Sequence, residues 1–106
     1  MDPTMLIDSI TCVNKGAYVM KCHVKWQVDG GPITQSDYSP EFPVDQQQTF
    51  DLNVFDIPDG ATVWAHYRIE AGKSGDTQMM VFGRNTHTPA VFEIAGTTLD
   101  PHCKLV

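Results

Sequence analysis

The chain has 106 residues, 42% hydrophobic, 19% charged and 9% aromatic, the size of one domain and too short for a multi-domain enzyme or a complete pore-forming assembly. Seven Lys+Arg against thirteen Asp+Glu give a formal net charge of −6, which excludes the basic patch of a nucleic-acid binder and disfavours general attraction to anionic lipid. Five Phe, three Tyr and two Trp supply apolar mass for a core, and no apolar run approaches the roughly 18 residues of a membrane-spanning helix.

Residues 1–10 carry Asp2 and Asp8 and no basic stretch, unlike a secretory leader, so the expected location is cytoplasmic or non-classically released, with action at a cell surface. The first strand is expected over residues 6–13. Over residues 17–28 the even positions Tyr18, Met20, Cys22, Val24, Trp26 and Val28 are apolar, while Lys21, His23, Lys25 and Gln27 are polar. Alternation of that length is the mark of a half-buried strand. A short run follows at 33–38. Residues 48–55 repeat the pattern, with Phe50, Leu52 and Val54 inward. Residues 61–70 place Val63, Ala65, Tyr67 and Ile69 inward, and Trp64, His66, Arg68 and Glu70 on the opposite row. Runs at 77–84 and 90–98 complete the set. Most of the Gly and Pro fall between these runs, at 14–16, 29–32, 40–43, 56–60, 71–75 and 85–89. About seven short strands and no 3.6-residue apolar repeat predict an all-β fold, a single antiparallel β-sandwich over residues 1–106.

Strand direction then sorts the loops. If successive strands alternate, the connections at 14–16, 39–45 and 71–76 and the stretch after Thr98 share one tip. Those at 29–32, 56–60 and 85–89 share the other. Loops gathered on a rigid scaffold are the usual place for recognition.

Several chemistries are poorly supported. Gly72-Lys73-Ser74 looks like the end of a phosphate-binding loop, but Tyr67 stands where the earlier glycine is needed. There is no nucleophile elbow, and His23, His66, His87 and His102 are scattered over several elements. His102-Cys103 lacks the partners of a structural zinc site. Cys12, Cys22 and Cys103 contain no CxxC pair and are odd in number, so at least one thiol is expected to be free. The expectation is a protein that is not an enzyme, with no cofactor and no metal.

Two stretches carry a signature. The first is Gly16-Ala17-Tyr18-Val19 followed by Trp26; the second is Gly96-Thr97-Thr98-Leu99-Asp100-Pro101. Together, in order and spacing, they resemble the C-terminal, membrane-recognising domain (domain 4) of the cholesterol-dependent, thiol-activated cytolysins, over roughly residues 7–106. There a segment like S-G-A-Y-V-A-Q-F-N-x-x-W opens the domain and G-T-T-L-Y-P nearly closes it. The resemblance implies a β-sandwich whose tip loops meet a membrane, with sterol recognised by Thr98 and Leu99 and a neighbouring tip loop at Gly16 and Ala17. A Thr hydroxyl suits a sterol's single polar group, and Leu adds apolar contact. One departure is clear. The family's tryptophan-rich segment, like E-C-T-G-L-A-W-E-W-W-R, corresponds to residues 70–76, where Glu70, Gly72 and Lys73 stand and no tryptophan does. That removes an interfacial anchor.

The expected partner is thus a membrane surface or a cell-surface glycan, and not nucleic acid. A sterol or lipid head group would meet Thr98, Leu99, Gly16, Ala17, Lys73 and Phe42, the last being the large apolar residue between Pro40 and Pro43. The alternative is carbohydrate binding, either on a lectin-like face of Trp64, His66, Arg68 and Glu70, an aromatic plate beside polar groups, or through the tip loops. A protein–protein surface or a purely structural role is the third reading. Tyr18 and Trp26 belong to the core.

Overall fold

The computed structural model describes residues 5–106; the first four, part of the segment weighed above as a leader, lie outside the described residues. Two sheets face one another across a shared core. β1 (Leu6–Ile7), β8 (Met80–Phe82), β6 (Thr62–Ile69), β3 (Met20–Gln27) and β4 (Ile33–Gln35) form one sheet in that order, with β7 (Ser74–Asp76) also pairing with β6. β10 (Asp100–Leu105), β9 (Pro89–Thr97), β2 (Ser9–Asn14) and β5 (Gln47–Asp51) form the other. The β-sandwich is as expected, but the sheets are mixed: β1 runs parallel to β8 and β2 parallel to β9.

The central pair is the one the alternation describes. β3 and β6 are antiparallel, with Met20 opposite Ile69, Cys22 opposite Tyr67, Val24 opposite Ala65 and Trp26 opposite Val63. Their inward rows therefore coincide, and every member of both is buried. Burial on this scale is the main stabilising term, roughly 25 cal/mol per Å² of apolar surface.

Four expectations change. The run at 6–13 is two strands, because the chain crosses between sheets at Asp8; Ile7 and Ile10, three apart, are both wholly buried. The Asp8 carboxylate accepts the backbone N–H groups of His87 and Thr88 at 3.0 Å and Asn53 Nδ2 at 3.1 Å. Burial opposes its charge, but these bonds outweigh that and hold the carboxyl below its ordinary range. The run at 48–55 stops at Asp51, which caps a 3-10 turn over Leu52–Val54, leaving Val54 73% exposed rather than inward. The turn expected at 71–75 is present at Ala71 and Gly72 but gives way to β7 from Ser74. Finally, β10 has no apolar row to announce it and is an edge strand carrying Pro101, as proline in a sheet requires.

The segment after β4 follows β3 irregularly. Ser36 and Ser39 place their hydroxyls on the Val24 and Cys22 N–H groups at 3.0 and 3.1 Å, standing in for ladder carbonyls. Phe42 then bridges to Met20. All three cysteines are free. Burial raises the Cys103 thiol to about 11, and a hydrogen bond with Cys12 together with burial raises Cys22.

Candidate recognition tip

Asn14, at the end of β2, gathers one end of the sandwich. It is wholly buried, and its Nδ2 donates to the carbonyls of Tyr18 (2.7 Å) and Phe42 (3.1 Å). Its Oδ1 accepts the Gly16 N–H at 3.0 Å, an Asx turn. Backbone bonds add Asp45 N–H to the Asn14 carbonyl and Lys15 N–H to the Ile94 carbonyl. On the other side of the tip, Glu70 N–H reaches the Val19 carbonyl and Lys73 N–H the Thr98 carbonyl, at 2.9 and 2.8 Å. The connections at 14–16, 39–45 and 70–73 and the turn at Thr98 and Leu99 thus share one end, as alternating strand direction predicts. Asp59 bonding Arg84, and Arg84 bonding the carbonyls of Asn53, Phe55 and Ile57, tie loops together at the other.

Thr98 and Leu99 are the two turn residues of the β9–β10 hairpin, flanked by the pair Thr97–Asp100. Thr98 is half-buried, whereas Leu99 is 67% exposed at the apex. The hairpin is braced by residues 71–73. Ala71 takes a positive φ of 55°, and a Cβ on Gly72 would lie 2.5 Å from the Thr98 carbonyl oxygen, so only glycine permits this approach. Ala17 and Lys73 are exposed.

Two expected contact residues face inward instead. Phe42 is 1% exposed and lies in the core, where the hydrophobic effect holds its ring beneath the tip, so it presents nothing to a ligand. Gly16 is buried under the Tyr18 ring, whose hydroxyl bonds the Ala95 carbonyl at 2.8 Å; a Cβ there would sit 2.1 Å from that ring. Gly16 shapes the loop; Ala17 is the residue it displays.

The row Trp64, His66, Arg68 and Glu70 does not form one open face. Trp64 is 3% exposed, its indole withdrawn from water on the outer side of β6, as expected for so large an apolar surface. No aromatic plate is therefore available there. His66 is half-buried and bonds Asp76 through Nδ1 at 2.8 Å. Its neighbour across the strands, His23, is buried and stacks on Tyr38 with ring centroids 4.1 Å apart. Desolvation lowers the His23 pKa, chiefly against the hydrogen bond of Nδ1 to the Ser36 carbonyl. Arg68 and Glu70 are exposed and join the tip instead. With Lys21, Glu41, Ile69, Ala71 and Gly72 they line a recess of about 440 Å³.

Asn14, Lys21 and Glu41 are absent from the sequence-based sites. The turn signal Asn14-x-Gly16 points to an Asx turn, and alternation puts Lys21 outward. The pairing of Lys21 with Arg68, however, depends on strand register. Among the described residues, no group of three or more His, Cys, Asp or Glu is placed to hold a metal ion.

No protein-family model matches the chain, and no curated protein matches it at a significant level. Solved structures do match. A structure of pneumolysin superposes with a TM-score of 0.52 at 12% identity, over 92% of this chain and 23% of that one. A crystal structure of a Gram-negative toxin superposes with a TM-score of 0.51 at 16% identity, over 92% and 22%. The chain spans about a quarter or less of these proteins. At this identity the likeness is one of fold: the sandwich is cytolysin-like.

Proposed function

We propose that the chain is a non-enzymatic surface-recognition module, equivalent to the membrane-recognising domain 4 of the cytolysins, that meets sterol or a lipid head group through Thr98 and Leu99. The observation carrying this reading is Leu99, 67% exposed at the apex of a braced two-residue turn. A large aliphatic side chain held in water at a hairpin tip gains most by entering an apolar phase. Full burial of a leucine is worth roughly 1.5–3 kcal/mol, so completing the burial of this one is worth about 1–2 kcal/mol, or roughly tenfold in affinity. The Gly-Thr-Thr-Leu resemblance and the cytolysin-like fold support the same end of the molecule.

Co-sedimentation with phosphatidylcholine vesicles, with and without cholesterol, tests it. Cholesterol-dependent pelleting is expected, weakened about tenfold in Leu99→Gly and also reduced in Thr98→Gly. Pelleting that ignores cholesterol, with both variants behaving as the parent, overturns the reading. The carbohydrate alternative on the β6 face loses its aromatic plate with the burial of Trp64.

A further inference from the structure

The recess beside the hairpin has an unusual arrangement of charge. Lys21 on β3 and Arg68 on β6 are direct cross-strand partners, so two cations stand side by side on its floor. Like charges directly opposite destabilise a sheet. Neither belongs to an ion pair among the described residues, although the chain is acidic and offers carboxylates in excess. Lys21 Nζ instead lies 4.6 Å from the centre of the Tyr38 ring. Glu41 and Glu70 line the same recess and are likewise outside any ion pair among the described residues. Four charges, two of each sign, thus line a volume of about 440 Å³, within the roughly 300–1,000 Å³ of small-molecule sites.

We propose that this recess binds a zwitterionic phosphate ester, the chemistry of a phosphocholine or phosphoethanolamine head group. The phosphate sits on Lys21 and Arg68, and the ammonium group turns toward Glu41 and Glu70. An anion between the two cations relieves their repulsion and gives Arg68 the planar, forked contact it is suited to. The ligand's own cation satisfies the carboxylates. As the diester of a lipid head group, the zwitterion also brings no net charge for a protein of net charge −6 to repel. Position agrees with this chemistry. Glu70, Ala71 and Gly72 lead directly to Lys73, whose N–H holds the Thr98 carbonyl, so the recess lies beside the hairpin that carries Leu99. As a lipid site the inference rests on the membrane-facing reading of that end; as a small-molecule site it does not.

The test has a soluble arm and a vesicle arm. In the first, amide NMR shifts are followed during titration with phosphocholine, inorganic phosphate and choline separately. Saturable shifts around Lys21, Arg68 and Glu70 are expected with phosphocholine, at least tenfold tighter than with phosphate or choline alone. Lys21→Gln and Arg68→Gln should each weaken binding about tenfold, and a melting temperature at or above the parent's shows that they fold. In the second arm, phosphatidylcholine vesicles should pellet the protein better than phosphatidylglycerol vesicles, through the same two residues. Soluble binding with no pelleting of any vesicle leaves the recess standing and removes the membrane reading. Pelleting through Leu99 without phosphocholine binding removes the recess alone. Equal affinity for inorganic phosphate, binding unchanged in both variants, or a neutral sugar producing the same shifts in place of phosphocholine, overturns the proposal.

Discussion

Replacing Asn14 should cost the protein much of its stability and loosen the tip in a way that reads out its hydrogen bonds individually. The side chain is wholly buried and serves two carbonyls and one N–H. In Asn14→Ala all three partners lose their bond where water has little access. Each abandoned buried group costs about 1–3 kcal/mol, and with some relaxation the sum is about 3–5 kcal/mol. That is a large share of the roughly 5–15 kcal/mol by which such domains are stable. With a urea slope of about 1.5 kcal/mol per molar, the unfolding midpoint should fall by about 2.5 M. Asn14→Asp keeps the shape and the acceptor for Gly16 but sets a buried carboxylate against the carbonyls of Tyr18 and Phe42. At pH 7 it should be at least as damaging as alanine. Its carboxyl is favoured in the protonated form when folded, because that form regains one O–H donor. Its stability relative to Asn14→Ala should therefore rise as the pH falls. Urea unfolding followed by fluorescence of the buried Trp26 and Trp64 measures both. A loss below about 1 kcal/mol for Asn14→Ala, or an Asn14→Asp as stable as the parent at pH 7, refutes the reasoning.

Two further outcomes are expected. His23 is held neutral by burial, with its folded pKa below the ordinary 6.5. The unfolded chain therefore binds more protons below pH 6.5, and this part of the stability is complete above that value, lost as the pH falls through the folded pKa, and level beneath it. The groups bearing on it are His66, Lys25 and Asp76, besides the Ser36 carbonyl. The melting temperature should drop between pH 7 and 5 and drop less in His23→Phe; equal slopes in the two proteins contradict the assignment. Trp64→Ala should cost about 3–5 kcal/mol, as truncation of a buried tryptophan does, and acrylamide should quench the parent's tryptophans poorly. Strong quenching, or a variant of parental stability, means the ring is open to solvent after all.

The central strands were legible because each carries a continuous apolar row on its inner side, although His23 and Trp64 on the outer side are buried as well. Period-two alternation in β3 and β6 records that row directly, and the inward rows are those expected except at Val28, which lies past the end of β3 and is 42% exposed. The run at 6–13 reads poorly for the opposite reason: Ile7 packs from one sheet and Ile10 from the other, so neither period applies across Asp8. β10 carries no apolar stripe because an edge strand owes its place to hydrogen bonds with β9. At the site, grouping the loops needed only a count of strand directions. The fates of the individual residues did not follow from that count. Phe42, Trp64 and Leu99 are all large apolar side chains outside the regular inward rows, yet two are buried and one is exposed.

Length, acidity, the all-β pattern and the gathering of tip loops were determined by the sequence alone, because they depend on composition and local alternation. Tertiary structure decided the rest. It turned Phe42 inward, buried Trp64 on the outer side of β6, put Leu99 at an apex, and set Lys21 beside Arg68 with Glu41 and Glu70 around one recess. Those residues are separated along the chain and meet only through strand register and loop packing. Register and packing are settled by long-range burial and hydrogen bonding, which no local window of the sequence contains.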